Sequence, residues 1–342
     1  MEADTESVHL PSDGDPLSDV LEAVRLRGAV FFLWEPGWPY ATTVTDGRRF
    51  APMIVPGADQ IISYHIVTEG PCWGAVSGEE PVRLETGDIL LIPRGDAYVI
   101  SDRPCPVTTG QDADSIEFFN QMAAGTIPSV IADGGPGPGG NAFICGFLGC
   151  SLHPFNPLLN TLPRLIRLPA MVGCQDPLSS LIEFALTESR LSRGGERALL
   201  LRLSELMFVE VLRRYLRTKS EESTVGWLGG LKDPMVGKAL SILHQRLVEP
   251  WTLEALAGEV GASRSVLAER FTRLVGEPPM HYLTLWRMQV AARQLMEHRA
   301  KVYAVARGVG YESEAAFSKA FKRTVGMTPA AWRERSGLVS GS

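Results

Sequence analysis

The chain is poor in the residue types that mark several protein classes. Its 342 residues hold five cysteines, Cys72, Cys105, Cys145, Cys150 and Cys174, an odd number without tight pairing. That excludes a disulfide scaffold. Histidine is scarce as well, with six in all and no His-x-His pair. No apolar run approaches the roughly 18 residues of a membrane-spanning helix. The start, MEADTESVHLPSDGDPLSD, is acidic and polar where a secretion signal needs a basic end and an apolar stretch. The expectation is a cytoplasmic protein with no membrane partner. Positive charge is also short, with 33 Lys and Arg against 39 Asp and Glu, a net of -6. Taken whole, this argues against a polyanion as partner.

The charges are not spread evenly. Residues 232–342 hold 16 basic against 10 acidic side chains, a net of +6, and residues 1–231 hold 17 against 29, a net of -12. Opposite signs in two halves suit a basic module for a polyanion joined to an acidic module with another task. Chance segregation of surface charge gives the same pattern on charge alone. The length favours at least two domains, and 45% hydrophobic with 21% charged residues is globular rather than disordered.

Apolar spacing after a cap predicts a short helix from about Asp15 to Leu26. Between Ala29 and about Leu152, runs such as AVFFLW, IISYHIV, DILLIP and NAFICGFL alternate with Gly and Pro. Many short strands with regular turns predict a barrel or a sandwich. ADGGPGPGGN (132–141) reads as a loop. From Pro177 to Leu216 two helices are expected, broken at Ser192 to Gly195. The apolar stripe from Leu199 to Leu216 is wider than one face needs, and both burial against the first domain and a dimer seam account for it. The polar RTKSEESTVGWLGG that follows reads as a linker.

The clearest signal is a repeat. Ala257, Val260 and Gly261 recur 49 residues later as Ala306, Val309 and Gly310, and Phe271, Gly276 and Pro279 recur 50 later as Phe321, Gly326 and Pro329. Each copy reads as helix, glycine turn, serine cap (Ser263, Ser313) and second helix. Val266, Leu267, Phe271 and Leu274, and Ala316, Phe317, Phe321 and Val325, are expected on the buried faces. HYLTLWRMQVAARQLM (281–296) has no helix breaker and is expected to space the copies rigidly, as two helices in successive major-groove segments about 34–36 Å apart require. Arg287 within it is expected to be structural, pairing with a carboxylate or capping carbonyls.

These residues resemble the AraC/XylS family of bacterial transcription regulators. The likeness rests on Ala257, Gly261, Ser263, Phe271, Gly276 and Pro279, and on Ala306, Val309, Gly310, Tyr311, Ser313, Phe317, Phe321, Lys322, Gly326, Thr328 and Pro329, with GYESEAAFSKAFK as its most specific run. It implies an all-α DNA-binding domain over 233–338, with helix-turn-helix units at about 252–275 and 302–325 and a linker helix at about 281–297. It also implies base contacts from Ser265, Ala268 and Glu269 in the first unit and from Ala315, Ser318 and Lys319 in the second. Arg264, Arg273, Ser313, Lys322 and Arg323 become phosphate contacts, with ordinary solvated charge as the other reading of the basic ones. The implied partners are double-stranded promoter DNA, a second copy of the chain, RNA polymerase and a small-molecule effector.

The N-terminal half resembles the cupin-like domain attached to one branch of that family, through YHIVTEGPCWGAV and VRLETGDILLIPRGDAYVISD. The implied class is α+β multidomain, with a cupin-like β-barrel and flanking helices before the helical domain. The implied blocks are a sensor domain at 1–176, a helical segment at 177–217 that serves dimerisation or packing, and a linker at 218–232. Gly87 and Asp88 are expected in a hairpin turn, with Pro93 and Gly95 shaping the next. Tyr98 stands where a cupin metal ligand would be a histidine, His65 is isolated, and Glu69, Cys145, Cys150 and His153 lack ligand spacing. No metal, cofactor or catalytic residue is expected. Cys72, Cys145 and Cys150, expected near the barrel rim, are candidate redox thiols, although buried cysteine commonly serves as a small hydrophobe. The leading expectation is a DNA-binding regulator, not an enzyme, controlled by a small-molecule or redox signal. The alternative is a cupin enzyme or metal-binding protein with an appended DNA-binding module.

Overall fold

The short strand-forming runs after Arg27 pair into two sheets and do not close into one barrel. A computed structural model describes residues 15–23, 26–107, 112–133, 140–150, 154–171, 176–191, 193–218, 226–297 and 301–339. The loop call at 132–141 lies mostly outside the described residues, as do His153, Cys174 and most of the polar linker. Two compact units divide the chain. One comprises Arg25–Ser151 with Leu162–Thr218, and the other Met1–Val24, Leu152–Thr161 and Lys219–Ser342. The units therefore differ from the contiguous blocks expected from sequence.

The sheet unit contains β1 (Arg27–Glu35), β2 (Ala41–Val44), α2 (Gly47–Ile54), β3 (Gln60–Glu69), β4 (Cys72–Val76), β5 (Val82–Leu84), β6 (Ile89–Ile92), β7 (Tyr98–Ser101), α3 (Asp112–Ala124), β8 (Val130–Ala132), β9 (Ala142–Cys150), β10 (Ile166–Leu168), α5 (Pro177–Leu191) and α6 (Glu196–Thr218). The strand orders are β10-β6-β3-β9-β1-β8 and β2-β7-β4-β5. Among the described residues only the β1–β8 pairing is parallel. Phe32, Trp34, Ile61, Val67, Cys145 and Phe147 from the larger sheet share a core with Val76, Tyr98 and Ile100 from the smaller one.

Eight consecutive residues of β3 are buried, which requires both faces of the larger sheet to be covered. α6 covers the second face. Tyr64 bonds to the Ser204 backbone oxygen and hydroxyl at 3.2 and 3.1 Å, and its ring lies 6.5 Å from that of Phe208. Tyr64 reaches α6 by lying over Gly146, its register partner on β9, where an added Cβ would come within 2.1 Å of the ring. On α6 itself, Leu203, Met207, Phe208, Val211 and Leu212 are buried and Leu199 and Leu206 are exposed. Burial within the unit thus accounts for most of the broad apolar stripe. Gly87 and Asp88 form a turn but not the expected hairpin, because β5 pairs with β4 and β6 with β3 and β10, so the turn carries the chain from the smaller sheet to the larger, and the turn at Pro93 and Gly95 carries it back. Gly87 takes φ 86°, and the buried Asp88 carboxylate accepts from the Glu85 and Ala170 amides and pairs with Arg167 at 2.7 Å.

The helical unit holds α1 (Pro16–Ala23), α4 (Pro157–Thr161), α7 (Trp227–Lys232), α8 (Pro234–Gln245), α9 (Leu253–Glu259), α10 (Arg264–Val275), α11 (Pro279–Glu297), α12 (Val302–Gly308), α13 (Glu314–Val325) and α14 (Pro329–Val339). α7 occupies the end of the expected linker and buries Trp227. Gly230 serves close packing here, since a Cβ on it would stand 3.1 Å from Val275 and 3.2 Å from Val236. Trp227 Nε1 donates to Tyr282 Oη at 2.9 Å, Tyr282 Oη lies 2.8 Å from His244 Nε2, and His244 Nδ1 lies 3.1 Å from Asp19. Every partner is satisfied if Tyr282 donates to a neutral His244, which in turn donates to Asp19.

α11 runs past both repeated helix pairs. Its Tyr282 ring meets Phe271 of α10 at 5.6 Å, and its Ala292 carbonyl accepts from Trp332 Nε1 of α14 at 3.1 Å. Arg287 donates to the carbonyls of Leu247 and Glu249 at 3.0 and 2.6 Å, the structural role expected of it. Among the described residues no helix is long and apolar enough to cross a membrane.

Two outcomes follow from this packing. Gly146→Ala should destabilise the protein by about 1–3 kcal/mol, because the overpacked Cβ forces Tyr64 off its site. Urea melts showing no loss would remove Tyr64 as the reason for that glycine. Burial pushes His65 down to about 3 and also lowers His244, where it outweighs the Asp19 carboxylate. An unfolded imidazole takes its proton near 6.5. Stability from both groups is therefore fully present above that pH and falls on acidification below it, towards about 3 for His65. His65→Gln should flatten the acid limb of a stability–pH curve.

Candidate nucleic-acid interface

The two copies of the repeat fold alike. In each, a seven-residue helix (α9, α12) is followed by a twelve-residue helix (α10, α13). Gly261 and Gly310 take φ 71° and 83° in the turns, a conformation open to glycine at little cost. Ser263 then accepts from the Val266 amide at 3.3 Å, and Ser313 from the Ala316 amide at 3.2 Å. Each cap satisfies an amide that the helix start leaves open. Gly276 and Gly326 end the longer helices at φ 87° and 85°.

Leu267, Phe271 and Val275 bury one face of α10, and Phe317, Ala320 and Phe321 one face of α13. The opposite faces carry the positions that sequence singled out. On α10, Arg264, Ser265, Glu269 and Arg273 are exposed and Ala268 is half-buried; on α13, Ala315, Lys319, Lys322 and Arg323 are exposed and Ser318 is half-buried. Ser313 is exposed as well, its hydroxyl engaged in the cap. Arg264 has only a loose, exposed pairing with Glu254 at 3.9 Å.

Two side chains differ from expectation. Val266 is 49% exposed rather than inside, because Leu267, Phe271 and Val275, four apart, already fill the inner face and its neighbour is turned about 100° away. Its counterpart Ala316 is exposed for the same reason. A valine among Ser265 and Glu269 offers a methyl surface to a groove, and the four-residue spacing alone could have placed it there. Arg270, also on α10, is not available to a ligand. It pairs with Asp233 at 2.6 Å, the residue whose carboxylate caps α8.

In the sheet unit, Tyr98 Oη lies 2.6 Å from His65 Nε2, and Cys145 Sγ lies 3.1 Å from His65 Nδ1. Among the described residues no three His, Cys, Asp or Glu side chains converge as metal ligands. Cys72, Cys145 and Cys150 are buried in strands and not at a rim. Burial pushes the Cys72 thiol up to about 12 and raises Cys145 and Cys150 as well, so all three are held as thiols at neutral pH. A cavity of about 370 Å³ lies between the inner face of the larger sheet, β2 and α3.

Residues 15–217 match the cupin family and residues 256–335 match the helix-turn-helix domain family. An AraC-like transcription regulator of Streptomyces antibioticus is 32% identical over 94% of this chain and 98% of its own. A second, of Streptomyces lividans, is 33% identical over the same shares. The HTH-type transcriptional regulator AlkR of Acinetobacter baylyi is 28% identical over 94% of this chain and its own full length. With its duplicated, capped helix pairs and its two-sheet N-terminal unit, the chain belongs to the AraC-like transcription regulators that carry a cupin domain before a helix-turn-helix domain.

Proposed function

We propose that this regulator reads double-stranded promoter DNA with two helix-turn-helix units, α9–α10 and α12–α13, spaced by α11. Ser265, Ala268, Glu269, Ala315, Ser318 and Lys319 meet base edges, and Val266 adds a contact to a thymine methyl. Arg264, Arg273, Ser313, Lys322 and Arg323 hold phosphates. The observation that carries this reading is the shared geometry of α10 and α13, each capped by a serine and each presenting its polar face to solvent. The chain works by binding alone, as a homodimer that acts on RNA polymerase from its promoter site. Its sheet unit senses a small molecule, for which the 370 Å³ cavity between sheet and helix has the usual size. A thiol-based redox signal has less support, because the three candidate cysteines are kept protonated by burial.

The dimer reading draws on the apolar side chains that α5 and α6 leave in solvent. Phe184 and Leu191 stand seven apart on α5, and Leu199 and Leu206 seven apart on α6. A seven-residue interval keeps side chains on one side of a helix, as a helix seam requires.

Gel shifts with the region upstream of the gene should give tight, steeply salt-dependent binding, and binding insensitive to salt would overturn the proposal. Lys319→Ala should relax sequence preference at one position by about 1–3 kcal/mol, whereas Arg323→Ala should weaken all sequences alike and lower the salt slope by about one. Leu206→Glu should shift sedimentation from dimer to monomer. A dimer that tolerates the charge would remove the α6 seam.

A further inference from the structure

The cavity in the sheet unit has a marked chemical bias. Its walls are aromatic and aliphatic, with Phe32, Trp34 and Phe147 from the larger sheet and Phe118 and Phe119 from α3. No Lys or Arg is among the residues that line it, and His65 on its floor is held neutral by burial. A carboxylate or phosphate entering here would be desolvated without a counter-charge from the lining, which disfavours it.

The negative side of the balance is well supplied. Asp114 and Asp133 both line the cavity and both are exposed. Asp133 also accepts from Trp34 Nε1 at 3.2 Å, which ties one aromatic wall to one carboxylate. Asp114 stands near the start of α3 and offsets the partial positive charge of that helix end. The sheet unit that holds the cavity, Arg25–Ser151 with Leu162–Thr218, has 16 basic against 20 acidic side chains, a net of -4, so its field favours a cation. Aromatic faces attract cations further through their quadrupoles.

We propose that this cavity takes an apolar organic cation, a primary or quaternary ammonium on an aromatic or alkyl body. The ammonium sits towards Asp114 and Asp133, and the body lies among Phe32, Phe118 and Phe147. The assignment rests on the sensor reading of the sheet unit and adds the chemical class of the ligand.

The test is calorimetric titration of the full-length protein, without DNA, using three probes of one body: 2-naphthylmethyl-trimethylammonium, 2-naphthaleneacetate and 2-naphthaleneethanol. The ammonium should bind on the order of tenfold more tightly than the carboxylate. Asp114→Asn should close that gap by roughly threefold and leave the alcohol unchanged. Phe118→Ala should weaken all three, with retained DNA binding showing that each variant is folded. A carboxylate that binds as well as the ammonium, a gap indifferent to Asp114→Asn, or no saturable binding of the ammonium would each overturn the proposal. An ammonium that binds without altering promoter binding would leave the ligand class standing and overturn the sensor reading instead.

Discussion

Arg287 is the contact on which the arrangement of the helical unit depends. From the middle of α11 its guanidinium takes two carbonyls of the turn after α8, those of Leu247 and Glu249. The same group lies 2.8 Å from where a Cβ on Gly310 would stand and 6.0 Å from the centre of the Tyr311 ring. One side chain thus joins the segment leading into the first helix pair to the turn of the second. Gly310 is required twice over, by its φ of 83° and by the Val248 carbonyl 2.6 Å from the missing Cβ. Burial lowers the Arg287 pKa, yet a guanidinium stays charged in proteins, so its hydrogen bonds offset a real desolvation cost.

The consequence for function is geometric. On the proposed reading α10 and α13 meet DNA together, which requires a fixed separation, and α11 packs against both helix pairs. Tyr282 packs on Phe271 at one end of α11, and at the other the Ala292 carbonyl takes the indole of Trp332 on α14, whose ring meets Phe321 of α13 at 6.2 Å. Tyr282 also belongs to the buried chain from Trp227 through His244 to Asp19, which fastens α1 and α7 to the same unit. The exposed faces of α10 and α13 are left free of these structural duties.

In the sheet unit the governing constraint is that the larger sheet has no solvent face along β3. Gly146 makes room for Tyr64 on the side of α6, and His65 on the opposite side is satisfied by Tyr98 and Cys145. Tyr98 and Cys145 thus take up the two ring nitrogens of His65. What remains between sheet and α3 is a cavity whose polar groups are acidic at its mouth and uncharged at its floor.

Much of this was legible beforehand, for physical reasons. Caps, left-handed glycines and helical spacing are local properties, so the serine caps at 263 and 313, the turns at Gly261 and Gly310 and the rigid α11 could be read from neighbours in the chain. The polar faces of α10 and α13 followed from the same periodicity, except at Val266, where residue type suggested burial and the four-residue spacing of its neighbours decided otherwise. The sequence alone determined the two repeated helix pairs, the segregation of charge and the strand-rich character of the first half. Tertiary structure decided whatever depends on partners far apart in the chain: the pairing of ten strands into two sheets instead of a barrel, the membership of α1 and α7 in the helical unit, the burial of three thiols and the acidic aromatic cavity. Those outcomes rest on contacts across tens to hundreds of residues, such as Asp19 with His244 and Tyr64 with Ser204, which no local pattern of residue types encodes.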